Sequence, residues 1–314
     1  MRVLVTGSSG FVGRHLVPRL LDEGDEVFAL RRDASAGHGA GVVDVAAPAD
    51  ISKIDAASDW PDALDLVIHL AARNPERGAK GAGDLAALMS ANADGTAALA
   101  RRAAGAGIAR FLYVSTANVH GPSGQYPLIE DDPCEPGDAY ARSKLEGERH
   151  LREILAGSGT QYTILRPAPI YGPGARGAIA ALERLSGRRL PLPFASLRAR
   201  RSVLAVGNLV DVILLSRSHP AARDEAFLVA DDDAPTLTEL VEMMRAARNR
   251  RSRQFVMHPA LVKAGLGLLG KGELASRLAT SFVLDTSKIR LRLGWRPRLA
   301  TREALAEYAT GARP

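Results

Sequence analysis

The sequence predicts an α/β fold, in which a doubly wound parallel sheet carries helices on both faces. Short apolar runs alternate with longer segments whose apolar residues recur at helical spacing. Because helical crossovers leave the strands of one sheet parallel, this alternation favours a parallel sheet. Of the 314 residues, 46% are apolar and 24% charged, close to the average of soluble globular proteins. The composition therefore excludes disorder, and the length suits one large domain or two smaller ones.

The predicted elements follow one another as strand, helix and strand through the first half of the chain. Strands are predicted over Val3–Val5, Glu26–Leu30, Val42–Val45, Leu66–Leu70, Phe111–Ser115 and Tyr162–Leu165. Helices are predicted over Phe11–Leu21, Leu85–Ala104 and Ala139–Ala156. Strands are the short apolar runs, whereas helices are the longer segments of helical period.

The pattern changes after about Arg166, where prolines and glycines cluster and the later elements are shorter. One further strand is predicted over Ala226–Val229. We therefore divide the chain into a sheet domain, residues 1–166, and a smaller mixed C-terminal domain, residues 167–314, that mainly binds substrate. This division leaves room for some later segments to return to the first domain. The second domain would cover the carboxyl ends of the strands, where open α/β sheets bind ligands.

The single cysteine, Cys134, has no partner for an intrachain disulfide and no second thiolate for a metal. The amino terminus lacks a signal-peptide pattern, and charged residues interrupt the most apolar late stretch, Pro259–Leu284. We expect a reduced, cytoplasmic protein with no metal and no membrane partner.

A basic surplus of 41 Lys and Arg over 35 Asp and Glu gives a net charge of +6. Nucleic acid, an acidic membrane surface and anionic small substrates are all compatible with it. Aromatic residues make up only 5% and lie away from the arginine runs, so we expect no nucleic-acid partner. The densest runs, Arg198–Arg201 and Arg248–Arg253, are interpreted as solvated faces, with contact to phosphate as the alternative.

A glycine-rich loop follows the first strand and opens the first helix, which is the context that a dinucleotide-binding loop requires. Gly7 permits the tight turn, Gly10 lets the backbone approach a pyrophosphate, and Gly13 lets the helix pack closely on the sheet. The positive end of the helix dipole favours the phosphate charge. The alternative, a mere strand-to-helix turn, does not need this spacing.

The end of the second strand favours NADP over NAD. The carboxylate that usually binds the adenosine ribose is replaced by Arg31 and Arg32, whose guanidinium groups could accept a 2′-phosphate. The alternatives are that both arginines point to water and that Asp33 restores NAD binding. Asp44, near the end of the third strand, is a candidate partner for the adenine amino group.

A phenol and an ammonium four residues apart, Tyr140 and Lys144, lie on one face of a predicted helix. A free phenol has a pKa of about 10, and a nearby cation favours the phenolate that proton transfer needs. Thr116, which follows the preceding strand, could share the substrate oxygen with Tyr140. Asn92 could order this site, although a buried structural asparagine is an equal alternative.

These ordered motifs resemble the extended short-chain dehydrogenases, specifically the NAD-dependent epimerase/dehydratase family typified by UDP-glucose 4-epimerase. The resemblance covers essentially the whole chain and implies a Rossmann-type NAD(P)-binding domain. It rests on the glycine loop, His69–Ala72, Asn92, Ser115–Gly121, the Tyr140 and Lys144 pair, Arg166–Gly174, Asp285–Ile289 and Leu293–Pro297.

The resemblance implies a role for each matching residue. Tyr140 is the acid/base at a sugar hydroxyl, Lys144 lowers its pKa, and Thr116 positions the reacting oxygen. The implied cofactor ligands are Gly7, Ser9, Gly10, Phe11, Val12, Gly13, Arg31, Arg32, Asp44, Val45, Leu70, Ala71, Ala72, Asn92, Tyr140, Lys144 and Pro167. The implied substrate ligands are Arg73, Thr116, Asn118, His120, Pro169, Arg201 and Arg277.

The implied substrate is a nucleotide-diphosphate sugar, with a UDP-hexose favoured, and its pyrophosphate would be clamped by Arg201 and Arg277. The implied assembly is a homodimer formed by the helix of Leu85–Ala104 and the helix that carries Tyr140. Exposed apolar faces on these two helices would support such a dimer.

Departures from the family pattern narrow the reaction. Ala117 and Asn118 stand where dehydratases of this family carry an acid pair, which argues against dehydration. Pro169 and His120 replace a common Asn and Tyr, although a packed histidine is the alternative for His120. A 4-epimerase is favoured, with an NADPH-dependent 4-keto-sugar reductase of surface-polysaccharide synthesis as the alternative. A non-catalytic NADP sensor is a third hypothesis, from another class.

Overall fold

A parallel sheet of seven strands organises the computed structural model, which describes residues 1–32, 39–55, 58–74, 83–122, 126–258, 260–261 and 280–311. The strands are β1 (Arg2–Thr6), β2 (Glu26–Arg31), β3 (Val42–Ala46), β4 (Leu66–His69), β5 (Arg110–Val114), β6 (Gln161–Pro167), β7 (Ile170–Tyr171), β8 (Leu204–Ala205) and β9 (Glu225–Val229). The sheet has the order β3-β2-β1-β4-β5-β6-β9, and β7 and β8 form a separate pair. The predicted doubly wound fold is thereby confirmed.

The strand order reverses between β1 and β4, which places a ligand crevice outside their carboxyl ends. Thr6 pairs with Leu30 of β2 on one side and with His69 of β4 on the other. β9 pairs with β6 in parallel, so a strand from beyond residue 167 completes the sheet. The division of the chain at residue 166 stays a prediction.

The helices are α1 (Gly13–Asp22), α2 (Leu85–Met89), α3 (Gly95–Gly105), α4 (Ala139–Leu155), α5 (Ala178–Ser186), α6 (Val206–Ser216), α7 (Leu237–Ala247), α8 (Ser287–Leu293) and α9 (Thr301–Thr310). In the part of the chain that the structure describes, no helix is both long and apolar enough to cross a membrane.

The helix predicted over Leu85–Ala104 is present, but a π-helical turn at Ser90–Asp94 divides it into α2 and α3. Asn92 lies in this turn, where its carbonyl accepts a hydrogen bond from Thr96 Oγ1 at 2.6 Å. The apolar period of a sequence does not predict a π-turn of this kind. The turn is favoured by tertiary hydrogen bonds of the polar residue Asn92. Single π-turns within helices occur frequently at functional sites.

Helices cover both faces of the sheet and bury it. On one face, Val3 and Val5 of β1 pack with apolar residues of α1, α6 and α8. On the other face, Leu4 packs with residues of α3 and α4. Successive side chains of a strand point to opposite faces, so burial on both faces explains why the strands are almost uniformly apolar.

A smaller region packs α5, α7 and α9 with β7 and β8 around its own apolar cluster. The buried carboxylate of Asp231, just beyond β9, connects this region to the sheet. It accepts hydrogen bonds from Tyr171 Oη at 2.9 Å, from the Ala205 N–H at 3.1 Å and from Asn208 Nδ2 at 2.8 Å. Burial raises the pKa of Asp231 to about 6, and these hydrogen bonds oppose the rise.

Candidate active site

The glycine-rich loop is closed so tightly that side chains at its glycines would collide with backbone. Gly7 has φ +70°, and a Cβ there would lie 2.7 Å from the Ala71 nitrogen. A Cβ at Gly13 would lie 2.3 Å from the Gly7 carbonyl oxygen. Among the described residues, no acceptor is bonded to the N–H groups of Phe11 or Val12. These N–H groups at the start of α1 fit the pyrophosphate of a dinucleotide.

A line of buried side chains joins this loop to the π-turn. Thr6 Oγ1 accepts from the Ala71 N–H at 3.1 Å and lies 2.6 Å from His69 Nδ1. His69 Nε2 lies 3.1 Å from Thr96 Oγ1, which donates to the Asn92 carbonyl. Because the Thr96 proton is used there, His69 donates from Nε2 and accepts from Thr6 at Nδ1. Burial, reinforced by the charge of Lys144, lowers the pKa of His69 well below its usual value, so this imidazole is neutral.

Asn92 connects the loop after β4 to the helix that carries the predicted acid/base. Its side-chain oxygen accepts from the Arg73 N–H at 2.8 Å, and its Nδ2 donates to the Arg73 carbonyl at 3.1 Å. The same Nδ2 donates to Ser143 Oγ at 2.9 Å, and that hydroxyl donates to the Tyr140 carbonyl at 2.8 Å. Asn92 is therefore a positioning residue in this structure.

The predicted pair occupies the first two turns of α4, which begins at an Asp138 cap that accepts from the Ala141 N–H at 2.7 Å. Tyr140 is half-buried, whereas Lys144 is 1% exposed and its Nζ lies 4.1 Å from the centre of the Tyr113 ring. Burial lowers the pKa of Lys144 to about 7, and the Glu148 carboxylate one turn later opposes this shift.

Tyr113 is a second phenol beside Lys144, and its environment keeps it neutral. It is completely buried on β5, and burial raises its pKa far above the usual value. Of Tyr113 and Tyr140, only Tyr140 is accessible to a ligand. Tyr113 therefore forms a cation–π contact with Lys144, and Tyr140 remains the candidate acid/base.

Gly147 lets α4 approach the π-turn closely. A Cβ at this position would lie 2.6 Å from Tyr113 Oη and 2.8 Å from the Asn92 carbonyl oxygen. A methyl group would therefore push the helix away from β5, and Tyr140 and Lys144 would move with it.

Thr116 follows β5 and begins a 3₁₀ turn, Ala117–His120, against which α4 packs. Its hydroxyl accepts from the Asn118 N–H at 3.2 Å, and its side chain is buried. Ser115 Oγ beside it is also buried, and no described group hydrogen-bonds to it. Thr116 and Tyr140 thus begin two elements that pack together at the carboxyl edge of the sheet.

The predicted adenosine contacts interact with each other. Arg31 at the end of β2 places its Nη1 3.3 Å from the Asp44 carboxylate on β3, and both side chains are 14% exposed. Arg32 is exposed, and Asp33 lies outside the described residues. Val45 is buried next to Asp44. This ion pair holds the Arg31 guanidinium at the strand end where an adenosine would lie.

His120 is buried and hydrogen-bonded, although it also lines the wall of a cavity together with Leu128 and Asp132. Its Nε2 accepts from Arg166 Nη1 at 2.9 Å, and its side chain is buried. Arg166 also forms a buried ion pair with Glu148 at 2.7 Å. Burial, reinforced by the charge of Arg166, lowers the pKa of His120. These contacts match the packed-histidine alternative, so its role toward substrate is left as a prediction.

The other predicted ligands lie at several places around the carboxyl edge. Pro167 ends β6 and is buried, Pro169 is exposed just before β7, and Arg73 and Ala72 are exposed after β4. Arg201 donates from Nη2 to the Thr280 carbonyl at 2.9 Å. Arg277 lies outside the described residues.

The residues that contact and position the candidate site residues were not predicted from the sequence. Glu148 lies four residues after Lys144, and this spacing could have identified it. Tyr113, Ser143 and the line through Thr6 and Thr96 carried no sequence signal, because residues far apart in the chain meet there only in the folded sheet.

Comparisons with known proteins agree with this geometry. The sequence model of the NAD dependent epimerase/dehydratase family matches residues 3–230. The UDP-glucose 4-epimerase of Vibrio cholerae is 32% identical over 315 residues, which cover 98% of this chain and 94% of the relative. The solved UDP-N-acetylglucosamine 4-epimerase of Bacillus cereus has a TM-score of 0.79 at 21% identity and covers 100% of both chains. MoeE5, solved with UDP-glucuronic acid and NAD, has a TM-score of 0.77 at 23% identity and covers 99% of this chain and 98% of its own.

The family match and the Vibrio relative extend over the residues that build the loop and the catalytic pair, and the solved structures share the fold. The chain belongs to the NAD dependent epimerase/dehydratase family and is an NAD(P)-dependent enzyme of the extended short-chain dehydrogenase type.

Proposed function

We propose that the protein is a UDP-hexose 4-epimerase. The observation that carries this proposal is that Tyr140 and buried Lys144 lie in successive turns of α4, which packs against the turn that Thr116 begins, at the sheet edge that also holds the glycine loop. Resemblance to the Vibrio UDP-glucose 4-epimerase over nearly its full length supports the choice of substrate and reaction.

Each residue has a distinct task in this reaction. When bound at the glycine loop, a nicotinamide dinucleotide would supply reversible hydride transfer at sugar C4. Tyr140 takes the proton of the C4 hydroxyl as general base and gives it back as general acid. Lys144 supplies positive charge that favours the phenolate, and Thr116 holds the reacting oxygen.

The substrate side is proposed by analogy and by charge. Arg201 is the pyrophosphate ligand, with Arg277 as the second cation, which gives part of the basic surplus a use. Asn118, Arg73 and the Pro169 turn line the sugar end in this proposal. Ala117 and Asn118 replace the acid pair that elimination of water would need, so the proposal excludes dehydration.

NADP is the proposed cofactor, with Arg31 and Arg32 as ligands of its 2′-phosphate. The Asp44 ion pair supports this assignment because it fixes the direction of the Arg31 guanidinium. This preference gives weight to the alternative function, an NADPH-dependent 4-keto-sugar reductase, since a reductase must exchange its cofactor in every cycle.

A cytoplasmic homodimer is the proposed assembly. The expected exposed apolar face is not found on α4, whose exposed residues are Arg142, Arg149 and Glu153. On α2, Leu85 is exposed. A dimer through these helices would therefore be partly polar.

One experiment separates the three functions. The purified protein is mixed with UDP-glucose or UDP-galactose, and the sugars are resolved by chromatography while absorbance near 340 nm is followed. Interconversion of the two sugars without net cofactor change is expected. Consumption of NADPH by a nucleotide 4-keto sugar, without interconversion, would identify a reductase. Cofactor binding that Tyr140→Phe leaves unchanged, with no reaction of any nucleotide sugar, would identify a sensor.

A further inference from the structure

Five arginines cluster on the smaller region, away from the predicted pyrophosphate ligand Arg201. They belong to two segments that the fold brings side by side, since Leu192 and Gln254 form a parallel bridge. The Leu192 N–H donates to the Arg253 carbonyl at 2.9 Å, and the Phe255 N–H donates to the Leu192 carbonyl at 3.0 Å. The arginine patch consists of Arg188, Arg189, Arg250, Arg251 and Arg253, all of them exposed.

The charges of the arginine patch are not neutralised by carboxylates in the described part of the chain. Within the described ranges, none of the five side chains forms an ion pair with a carboxylate. Other arginines do so: Arg248 pairs with Glu183, and Arg292 pairs with Glu225 at 3.0 Å. Nearby Arg245 has its pKa lowered by burial and then by the charges of Arg250 and Arg253, which shows how closely the cations gather.

Large apolar side chains are exposed among these cations. Leu190 is 56% exposed, Phe255 is 42% exposed and Val256 is 77% exposed. Leu190 follows Arg189 directly, and Phe255 lies two residues after Arg253 in an extended segment, hence on the same side. Exposed aliphatic side chains rimmed by arginines are typical of a surface that enters the headgroup region of a bilayer.

We propose that the arginine patch docks the protein on an anionic membrane surface as a peripheral protein. Arginines bind lipid phosphates, while Leu190 and Phe255 enter the boundary between headgroups and acyl chains. A nucleic acid would use the same charges but would gain little from Leu190, so a lipid surface fits better. No membrane partner was expected from the sequence, because it contains no spanning segment. A surface that two distant segments form only in the folded protein leaves no local pattern in the sequence.

Vesicle flotation tests this proposal with the full-length protein. Vesicles of phosphatidylcholine are compared with vesicles containing about 30% phosphatidylglycerol, at low and at physiological salt. We expect the protein to float with the anionic vesicles only, and to do so less at the higher salt concentration.

Two matched variants assign the effect to the patch. The triple variant R189Q/R251Q/R253Q removes three side chains that make no hydrogen bond or ion pair within the described residues, so the fold is preserved. R101Q/R223Q/R296Q removes the same charge from exposed arginines elsewhere. We expect the first variant to lose at least about tenfold in vesicle affinity and the second to lose much less.

The apolar part is tested by L190S/F255S, which keeps every charge and is expected to float several-fold less well. Binding of NADPH, followed by its fluorescence, is expected to be unchanged in all three variants and shows that they are folded. Equal loss in both charge variants would overturn the proposal. So would binding of single-stranded RNA that depends on the patch while vesicles are not bound.

Discussion

Two buried cations illustrate how differently the two regions of this protein use charge. At the sheet edge, Lys144 lies over the Tyr113 ring, with the Glu148 carboxylate one turn away. In the smaller region, Arg245 donates to the carbonyls of Leu190 at 2.6 Å and Arg253 at 3.0 Å. A lysine in such a site titrates near pH 7, whereas a guanidinium stays charged and binds several acceptors in a fixed geometry. The sheet edge thus holds the Lys144 ammonium, which can change its protonation state during a reaction. The smaller region holds the Arg245 guanidinium, which fixes the backbone through its hydrogen bonds.

Tyr140→Phe tests whether the Lys144 charge serves an acid/base tyrosine, and it is expected to have the largest effect on turnover. Removing the proton carrier should lower kcat by about 10²–10⁴-fold, because general acid/base catalysis contributes that much. Cofactor affinity and melting temperature should change little. Steady-state turnover and differential scanning fluorimetry measure the two quantities. Activity within a factor of a few of wild type would assign the acid/base role to another group.

Arg245→Met tests whether the buried guanidinium stabilises the backbone of the smaller region. The variant preserves much of the side chain's volume but leaves the Leu190, Arg188 and Arg253 carbonyls without their donor. We expect the free energy of unfolding to fall by about 3 kcal/mol, with kcat per folded molecule unchanged. Urea denaturation measures the loss. Arg245→Lys is the matched control and should recover only part of it, since an ammonium lacks the planar fork.

Lys144→Met is expected to raise the free energy of unfolding, whereas Arg245→Met lowers it. Burial holds the pKa of Lys144 at about 7, below the usual 10.5. Between these two values the unfolded chain binds more protons, so the stability of the wild type rises with pH through that window. Below about pH 7 the full cost of the buried ammonium is present. The variant should therefore be inactive but more stable than the wild type at pH 6, where the buried ammonium carries its full cost.

The advantage of Lys144→Met should shrink as the pH approaches 10. Urea titrations of both proteins at several pH values between 6 and 10 check this trend. A stability difference that does not change with pH would mean that Lys144 is not held near neutrality.

Arg31→Gln tests a third, half-buried cation and should have the smallest effect. Its ion pair with Asp44 at 3.3 Å holds the guanidinium at the end of β2, where we propose that the adenosine binds. We expect a loss of about tenfold in NADPH affinity and little change for NADH, which corresponds to one charge-assisted hydrogen bond. Fluorescence titration with both cofactors measures the ratio. Equal losses for the two cofactors would count against recognition of a 2′-phosphate by this residue.

The sheet was predictable, and Tyr140 and Lys144 could be proposed as a catalytic pair, because their signals are local. Apolar runs of β1 and β5 and the four-residue spacing of Tyr140 and Lys144 lie within short windows of sequence. The π-turn at Asn92 was not predictable, since contacts to Arg73 and Ser143, far away in the chain, favour it. The smaller region was harder for the same reason: Arg245 and Asp231 hold irregular backbone through bonds between distant segments, which periodicity does not reveal.

The line of hydrogen bonds from the Ala71 N–H through Thr6, His69 and Thr96 to the Asn92 carbonyl has one direction, because every member donates to the next. The direction is fixed, because the amide N–H at one end can only donate and the carbonyl at the other end can only accept. The turn after β1, the end of β4 and the π-turn should therefore open together, as one cooperative unit of native-state hydrogen exchange. Their amide protons would share a single opening free energy, although the three segments lie in separate parts of the sequence.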